Sequence, residues 1–131
     1  MTKEELNKYY YLKKEMSCIE HGIIELQTHL THITQVLSDM PKGQADSEKK
    51  ERILDELDRR RIAYLDVLKS AEIEKNNILR YISGINDPLV RLIIHYRYID
   101  LFSWSKVASL VGGNNTPDSV RMLSERYIKK N

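Results

Sequence analysis

Cysteine is nearly missing from this chain of 131 residues: Cys18 is the only one. A single thiol permits no internal disulfide and cannot build a cysteine-rich metal site, so a reducing cytoplasm is the expected compartment. Long apolar runs are missing too. None approaches the roughly 20 residues that a membrane-crossing helix requires, and the opening "MTKEELNKYY" has no apolar core of the signal-peptide kind. The expectation is an intracellular chain with no membrane partner. Proline and glycine are scarce, at three and five, while apolar residues make up 41% and charged residues 31%. This composition fits one small helix-rich domain, or a small domain with a long appendage, and the length falls short of most large α/β enzymes. No serine, histidine and acid form a recognisable nucleophilic set, so catalysis has no support in the residues, and nothing calls for a cofactor.

A strong charge of one sign is absent as well, since the formal net charge is +2. The balance is uneven along the chain. Residues 1–86 hold 14 Lys and Arg against 15 Asp and Glu, net −1, whereas residues 87–131 hold 7 against 4, net +3. The basic final third can attract nucleic acid if its charges gather on one surface.

What is present is periodicity. Tyr9, Leu12, Met16, Ile19, Ile23, Leu26, Leu30, Ile33 and Leu37 alternate spacings of three and four, which is a coiled-coil seam. At about 1.5 Å per residue the stretch spans roughly 42 Å, too long for a small globular core to cover, so it requires a partner helix. Gly22 lies beside the seam, at a cost of about 1 kcal/mol that so long a helix absorbs. "SDMPKGQADSEKK" ends the pattern: Pro41 and Gly43 interrupt, and Asp46 or Ser47 is placed to cap a second helix. Its seam reads Leu54, Leu57, Arg61, Tyr64, Leu68, Ala71, Lys75, Ile78 and Ile82, with Ile62, Leu65 and Leu79 widening the apolar face. Arg61 and Lys75 recur at equivalent heptad positions and help to fix register. A short polar connection joins antiparallel neighbours, so the spacing predicts a long antiparallel helical hairpin over about residues 3–83. Its width leaves room for a second subunit, and a homo-oligomer, first of all a dimer, is expected.

After "SGIND" the helices become short. Asp87 and Pro88 form a helix start, followed by an apolar face of Leu89, Leu92, Ile93 and Tyr96 that ends near Ile99. Ser103 opens another helix with Val107, Ala108, Leu110 and Val111, closed by Gly112 as a C-terminal cap. Thr116 and Pro117 open a third, whose inward stripe is Val120, Leu123 and Tyr127 with Ile128 beside it. The pattern predicts an all-α chain: residues 1–84 as the hairpin for oligomerisation or partner binding, and residues 85–131 as a three-helix helix-turn-helix domain.

"SLVGGNNTPDSV", residues 109–120, invites comparison with phosphate-binding loops. Those need a preceding strand and either a Lys-Ser/Thr ending or three spaced glycines. Here the glycines follow a helix and stand as a pair, so capping and turning explain them.

"DPLVRLIIHYRYIDLFSWSKVASLV" followed by "TPDSVRMLSERYIKK" resembles region 4 of bacterial sigma factors, and "GGNNTPDSVRM" resembles phage and prophage proteins of the ArpU and RinA type, late-gene regulators with a long helical N-terminal part. The resemblance covers about residues 86–130. Gly113, Asn114 and Asn115 lengthen the turn relative to the sigma pattern, and nothing upstream resembles the region that opens promoters. The resemblance implies sequence-specific binding of double-stranded DNA in phage or prophage transcription control, with RNA polymerase as a candidate partner of the hairpin. With Val120, Leu123 and Tyr127 inward, Asp118, Ser119, Arg121, Met122, Glu125, Arg126 and Lys129 point partly or wholly outward. In the sigma-like arrangement the leading half of this helix enters the major groove, where Arg121 is suited to guanine, Met122 to a thymine methyl and Ser119 to a base or phosphate. Arg126, Lys129, Lys130 and Lys106 are suited to phosphates, as are backbone amides from Thr116 to Ser119. Two alternatives come from other classes: a DNA-packaging subunit resembling a small terminase, and a helical interaction module that does not touch DNA.

Other conspicuous residues have plainer readings. His21, Glu25, His29 and His32 share a face off the seam and read as a polar surface with no metal site. Cys18 reads as an inert thiol. Tyr9 to Tyr11 read as packing, and Arg59 to Arg61 as an ion-paired surface because Asp55 and Glu56 precede Arg59 and Arg60 by four. Trp104, at a helix start, reads as a packing anchor.

Overall fold

A computed structural model describes residues 1–38 and 44–130, with the side chains of 37, 38 and 44–46 outside the description. Leu37 as the seam's end, the interruption at Pro41 and Gly43, and Asp46 as a cap therefore lie outside the described residues. The architecture is all-α: α1 spans Lys3–Ser38, α2 Gln44–Ser83, α3 Pro88–Ile94, α4 Trp104–Val111 and α5 Pro117–Lys130, with a π-helical turn over His95–Ile99 after α3. No helix among the described residues is long and apolar enough to cross a membrane. The chain divides into two compact units, Lys14–Lys69 and a second made of Met1–Lys13 with Ser70–Asn131. Residues 1–13 and 70–84 thus pack in the same unit as the short helices.

The unit Lys14–Lys69 is an antiparallel pair cut from α1 and α2. Met16 and Leu57 are buried, and Ile19, Ile23, Leu26, Leu30 and Ile33 are half-buried along the seam that the heptad marks. Register in α2 differs from the sequence reading at two places. Leu54 is 42% exposed and Arg61 points to solvent beside Asp58, whereas Ile53 and Arg60 turn inward. Arg60 donates from Nη1 to the Gly22 carbonyl of α1 at 2.7 Å, and a Cβ on Gly22 would sit 3.4 Å from that nitrogen. The missing side chain keeps this carbonyl open to the guanidinium, which offsets the glycine's helix-propensity cost. Glu56 accepts from Arg59 and Arg60, and those bonds hold its carboxyl below the usual range. Ser47 lies inside α2, so it does not cap it.

The second unit holds most of the buried apolar side chains among the described residues. Leu6, Tyr9, Ala71, Ile78, Ile82 and Ile85 are buried, and Leu6 extends the α1 seam one step ahead of its predicted start. Ile93, Val107, Ala108 and Val120 form a cluster against which Leu89, Tyr96, Phe102, Trp104, Val111 and Leu123 pack. Each short helix begins on the predicted cap: Asp87 accepts from the Leu89 amide at 2.9 Å with Pro88 in the first turn, and Ser103 accepts from the Lys106 amide at 3.2 Å. Leu92 is exposed, because the apolar face of α3 runs through Val90, Ile93 and Ile94. The widened turn at His95–Ile99 then rotates Tyr98 into the core. Burial pushes the Tyr98 phenol up, against a smaller downward pull from Ser124. Ser124 Oγ is buried without a hydrogen-bond partner among the described residues.

Candidate nucleic-acid interface

Two helices and the turn between them set this surface. α4 ends at Gly112, whose amide donates to the Ala108 carbonyl at 3.1 Å with φ at 73°, and Gly113 follows at 66°. Both lie in the left-handed region that a Cβ disfavours. A Cβ on Gly112 would meet nothing within 4 Å, so conformation and not crowding selects the glycine. Asn115 closes the turn by donating from Nδ2 to the Gly112 carbonyl at 3.0 Å. This segment is a corner between helices.

At the head of α5, the Thr116 amide donates to Ser119 Oγ at 2.8 Å and the Ser119 amide donates to Thr116 Oγ1 at 3.1 Å. Ser119 Oγ also donates to the Thr116 carbonyl at 3.0 Å. This is a reciprocal capping box with serine at its third position. Pro117 has no N–H, so the helix start is mostly closed on itself. The expectation that amides from Thr116 to Ser119 stand open to phosphate is corrected accordingly.

The inward stripe of α5 is Val120, Ser124 and Ile128, spaced by four, with Leu123 and Tyr127 half-buried at its edge. Asp118, Met122, Arg126, Lys129 and Lys130 are exposed, and Ser119, Arg121 and Glu125 are intermediate. Arg121, 42% exposed, stands between two carboxylates: Asp118 at 3.7 Å and Glu125 at 3.2 Å. Glu125 also takes Lys3 of α1 at 3.2 Å. Lys3 first, and then Arg121, hold the Glu125 carboxyl below its ordinary range, against a small upward push from burial. The leading half of the outer face is thereby close to neutral.

Its trailing half is cationic. Among the described residues no hydrogen bond or ion pair engages the side chains of Arg126, Lys129 or Lys130. Lys106 on α4 is exposed, with Nζ 3.8 Å from the centre of the Phe102 ring. Asp118 in the first turn and Lys129 and Lys130 in the last also follow the polarity that the helix dipole favours, which is reason enough for a surface helix to carry them.

Three features escape a reading of the sequence. Lys3 meets Glu125 across 122 positions, a separation that no local pattern reveals. Arg97 lies 4.5 Å from the centre of the Trp104 ring, so this tryptophan anchors a cation as well as the core. Leu101 has φ at 60°, uncommon for a bulky residue, in the short link between the π-helical turn and α4. Outside this unit, His21 pairs with Glu25 at 3.0 Å, and Cys18 is exposed. Compared with known proteins, the chain matches no family model, no curated protein and no solved structure.

Proposed function

We propose that this chain is a sequence-specific DNA-binding protein, a transcription regulator of the phage or prophage type, which presents α5 to the major groove of duplex DNA. The observation that carries the reading is α5 itself. It is a capped helix of 14 residues, seated through Val120 on the core it shares with α3 and α4, and its solvent side carries Arg126, Lys129 and Lys130. A helix of this kind is wide enough to fill a major groove, and its exposed cations release counterions from phosphates. Met122, also exposed, suits a thymine methyl. Arg121 reads a base only by leaving Asp118 and Glu125, so recognition includes an exchange of carboxylate for guanine. The hairpin serves self-association, for which the exposed Ile62 and Leu65 supply apolar surface.

One observation favours a second reading, an interaction module that does not touch DNA: the leading half of α5 already pairs Arg121 with two acids. Selection of bound fragments from genomic DNA, followed by titration of the recovered site across a salt series, separates the two. The DNA reading expects one enriched site and an affinity that falls steeply with salt, as phosphate neutralisation requires. Uniform, salt-insensitive recovery of fragments leaves the interaction module.

A further inference from the structure

The start of α1 borders a cavity that the helix-turn-helix reading does not account for. It measures about 410 Å³ and is lined by Asn7, Tyr10, Tyr11, Arg97, Tyr98, Leu101 and Ser103. One lining residue is a cation and none is an acid. Tyr98 is buried with its phenol toward Ser124, and the remaining polar groups are the hydroxyls of Tyr10, Tyr11 and Ser103 and the Asn7 amide, the side-chain types that bind phosphate oxygens beside arginine.

The arginine is held in advance. Arg97 donates from Nη1 to the Phe102 carbonyl at 2.9 Å, and its guanidinium carbon stands 4.5 Å from the centre of the Trp104 ring. A planar guanidinium fixed on two sides loses little freedom when its other N–H groups meet an anion. The wall beside it is strained. Leu101 sits in the left-handed region, which a bulky side chain rarely adopts. The Phe102 amide on the Tyr96 carbonyl at 3.1 Å, together with the Arg97 bond, keeps it there. A π-helical turn leads into the same link, an expansion often found at functional sites. Ser103 accepts from the Lys106 amide, which leaves its hydroxyl proton to donate into the cavity.

We propose that this cavity is a phosphate-binding site and that its occupant is a backbone phosphate of the bound duplex, which makes the first turns of α1 part of the DNA interface. The inference rests on the DNA-binding reading. In helix-turn-helix complexes the helix before the recognition helix crosses the phosphate backbone. Here that helix is α4, and Ser103 at its head lines the cavity. Tyr10 and Tyr11, in edge contact at 5.4 Å, form the α1 rim.

The test uses the full chain, a duplex carrying the selected site, and dAMP and inorganic phosphate as free phosphate sources. Trp104 is the only tryptophan, so its fluorescence reports on Arg97 directly. The duplex is expected to change that fluorescence, and Arg97→Gln to abolish the change. Tyr11→Glu is expected to weaken binding of selected and unrelated duplexes alike, by about tenfold, and to lower the salt slope by about 1, the value for one phosphate. Arg97 also braces the turn, so its variant is read beside a circular dichroism melt. Tyr11, 67% exposed, carries the test where Arg97→Gln fails to fold. Wild-type affinity and slope for Tyr11→Glu overturn the proposal. So does a Trp104 response to micromolar dAMP or phosphate that the duplex does not displace, because the occupant is then a free phosphorylated molecule. Arg126→Ala with Lys129→Ala keeps the two ideas apart: if that pair loses the duplex and Tyr11→Glu does not, the cavity assignment falls and the DNA reading stands. A wild-type chain that binds no duplex ends both.

Discussion

Between Lys14 and Lys69, Met16 and Leu57 are the buried apolar side chains among the described residues, whereas fourteen are buried in the unit that holds the short helices. The difference follows from helix length. α1 and α2, of 36 and 40 residues, have long interiors in which each added residue brings a backbone hydrogen bond, and a narrow seam suffices to pair them. α3 and α4, of 7 and 8 residues, are too short to hold alone, so capping side chains and a shared core are conditions of their existence. Stability in one unit is spread thinly along a seam. In the other it is concentrated in a few side chains and helix ends, and the surface proposed to read DNA stands on that concentrated part.

The sharpest way to break the contrast is a cavity in the second unit. Ile93 is fully buried at the centre of the cluster with Val107, Ala108 and Val120. Ile93→Ala is expected to cost about 2–5 kcal/mol. The melting midpoint read by Trp104 fluorescence should then fall further than the midpoint read by helical circular dichroism, because much of the helical signal belongs to α1 and α2. Equal shifts by both probes would show one cooperative whole, and the contrast would lose its thermodynamic meaning.

A somewhat smaller effect is expected at the surface of the hairpin. Ile62 and Leu65 are 61% and 59% exposed on α2, apolar area for which the pair itself has no use. Replacing both by serine should weaken self-association about tenfold, or 1.4 kcal/mol, as followed by sedimentation equilibrium. The Trp104 melt of the dilute protein should not move. A wild-type chain that stays monomeric at high concentration assigns those side chains to another partner or to none.

Helix ends give the next contrast. Thr116→Ala removes one half of the reciprocal box with Ser119 and is expected to cost about 1 kcal/mol. Ser47→Ala, inside α2, should stay within about 0.5 kcal/mol, as exposed substitutions usually do. Paired urea titrations check both. Comparable losses would mean that the box at Thr116 contributes no more than an exposed position inside a long helix.

These helix ends were also the most legible part of the sequence. Asp87, Ser103 and Gly112 act where their residue types put them, because a cap is a local matter between neighbours and the backbone. The α1 seam from Tyr9 to Ile33 is legible for the same reason, with a spacing repeated often enough to leave one answer. In α2 the pattern is degenerate: Ile53 stands beside Leu54 and Arg60 beside Arg61, so a shift by one residue costs the pattern nothing, and the Gly22 carbonyl decides. Ser124 belongs to neither the inward stripe nor the outward set that periodicity marks, and the line through Val120 and Ile128 carries it into the core. The π-helical turn and the strained Leu101 have no local signature, since both depend on what Tyr98 and Arg97 meet in the fold. On the candidate surface, the outward set on α5 is legible from periodicity, and the carboxylates that engage Arg121 lie on the same helix at three and four positions' distance. Lys3 and the α1 rim of the cavity are not, because they arrive from the far end of the chain.

The smallest effect is expected where those two ends meet. Lys3 lies 3.2 Å from Glu125 and is the main cause of its lowered pKa. A carboxyl whose folded value lies below its ordinary 4.5 contributes stability that is fully present above that value and is lost as pH falls through the folded one. Both side chains are well exposed, at 52% and 36%, so solvent screening keeps the contribution below about 1 kcal/mol. Lys3→Gln should therefore lower the urea midpoint slightly at pH 7, and the gap from wild type should narrow as pH falls below 4.5 or in strong salt. The same substitution leaves Glu125 to Arg121 alone, which tightens the internal pair that the proposed base reading would have to open, so on that proposal affinity for a selected duplex should fall by more than loss of one distant charge explains. A gap in stability that persists unchanged through the acid range would show that Lys3 holds α5 by packing along its stem, and the link between the chain's first turn and Arg121 would then be steric.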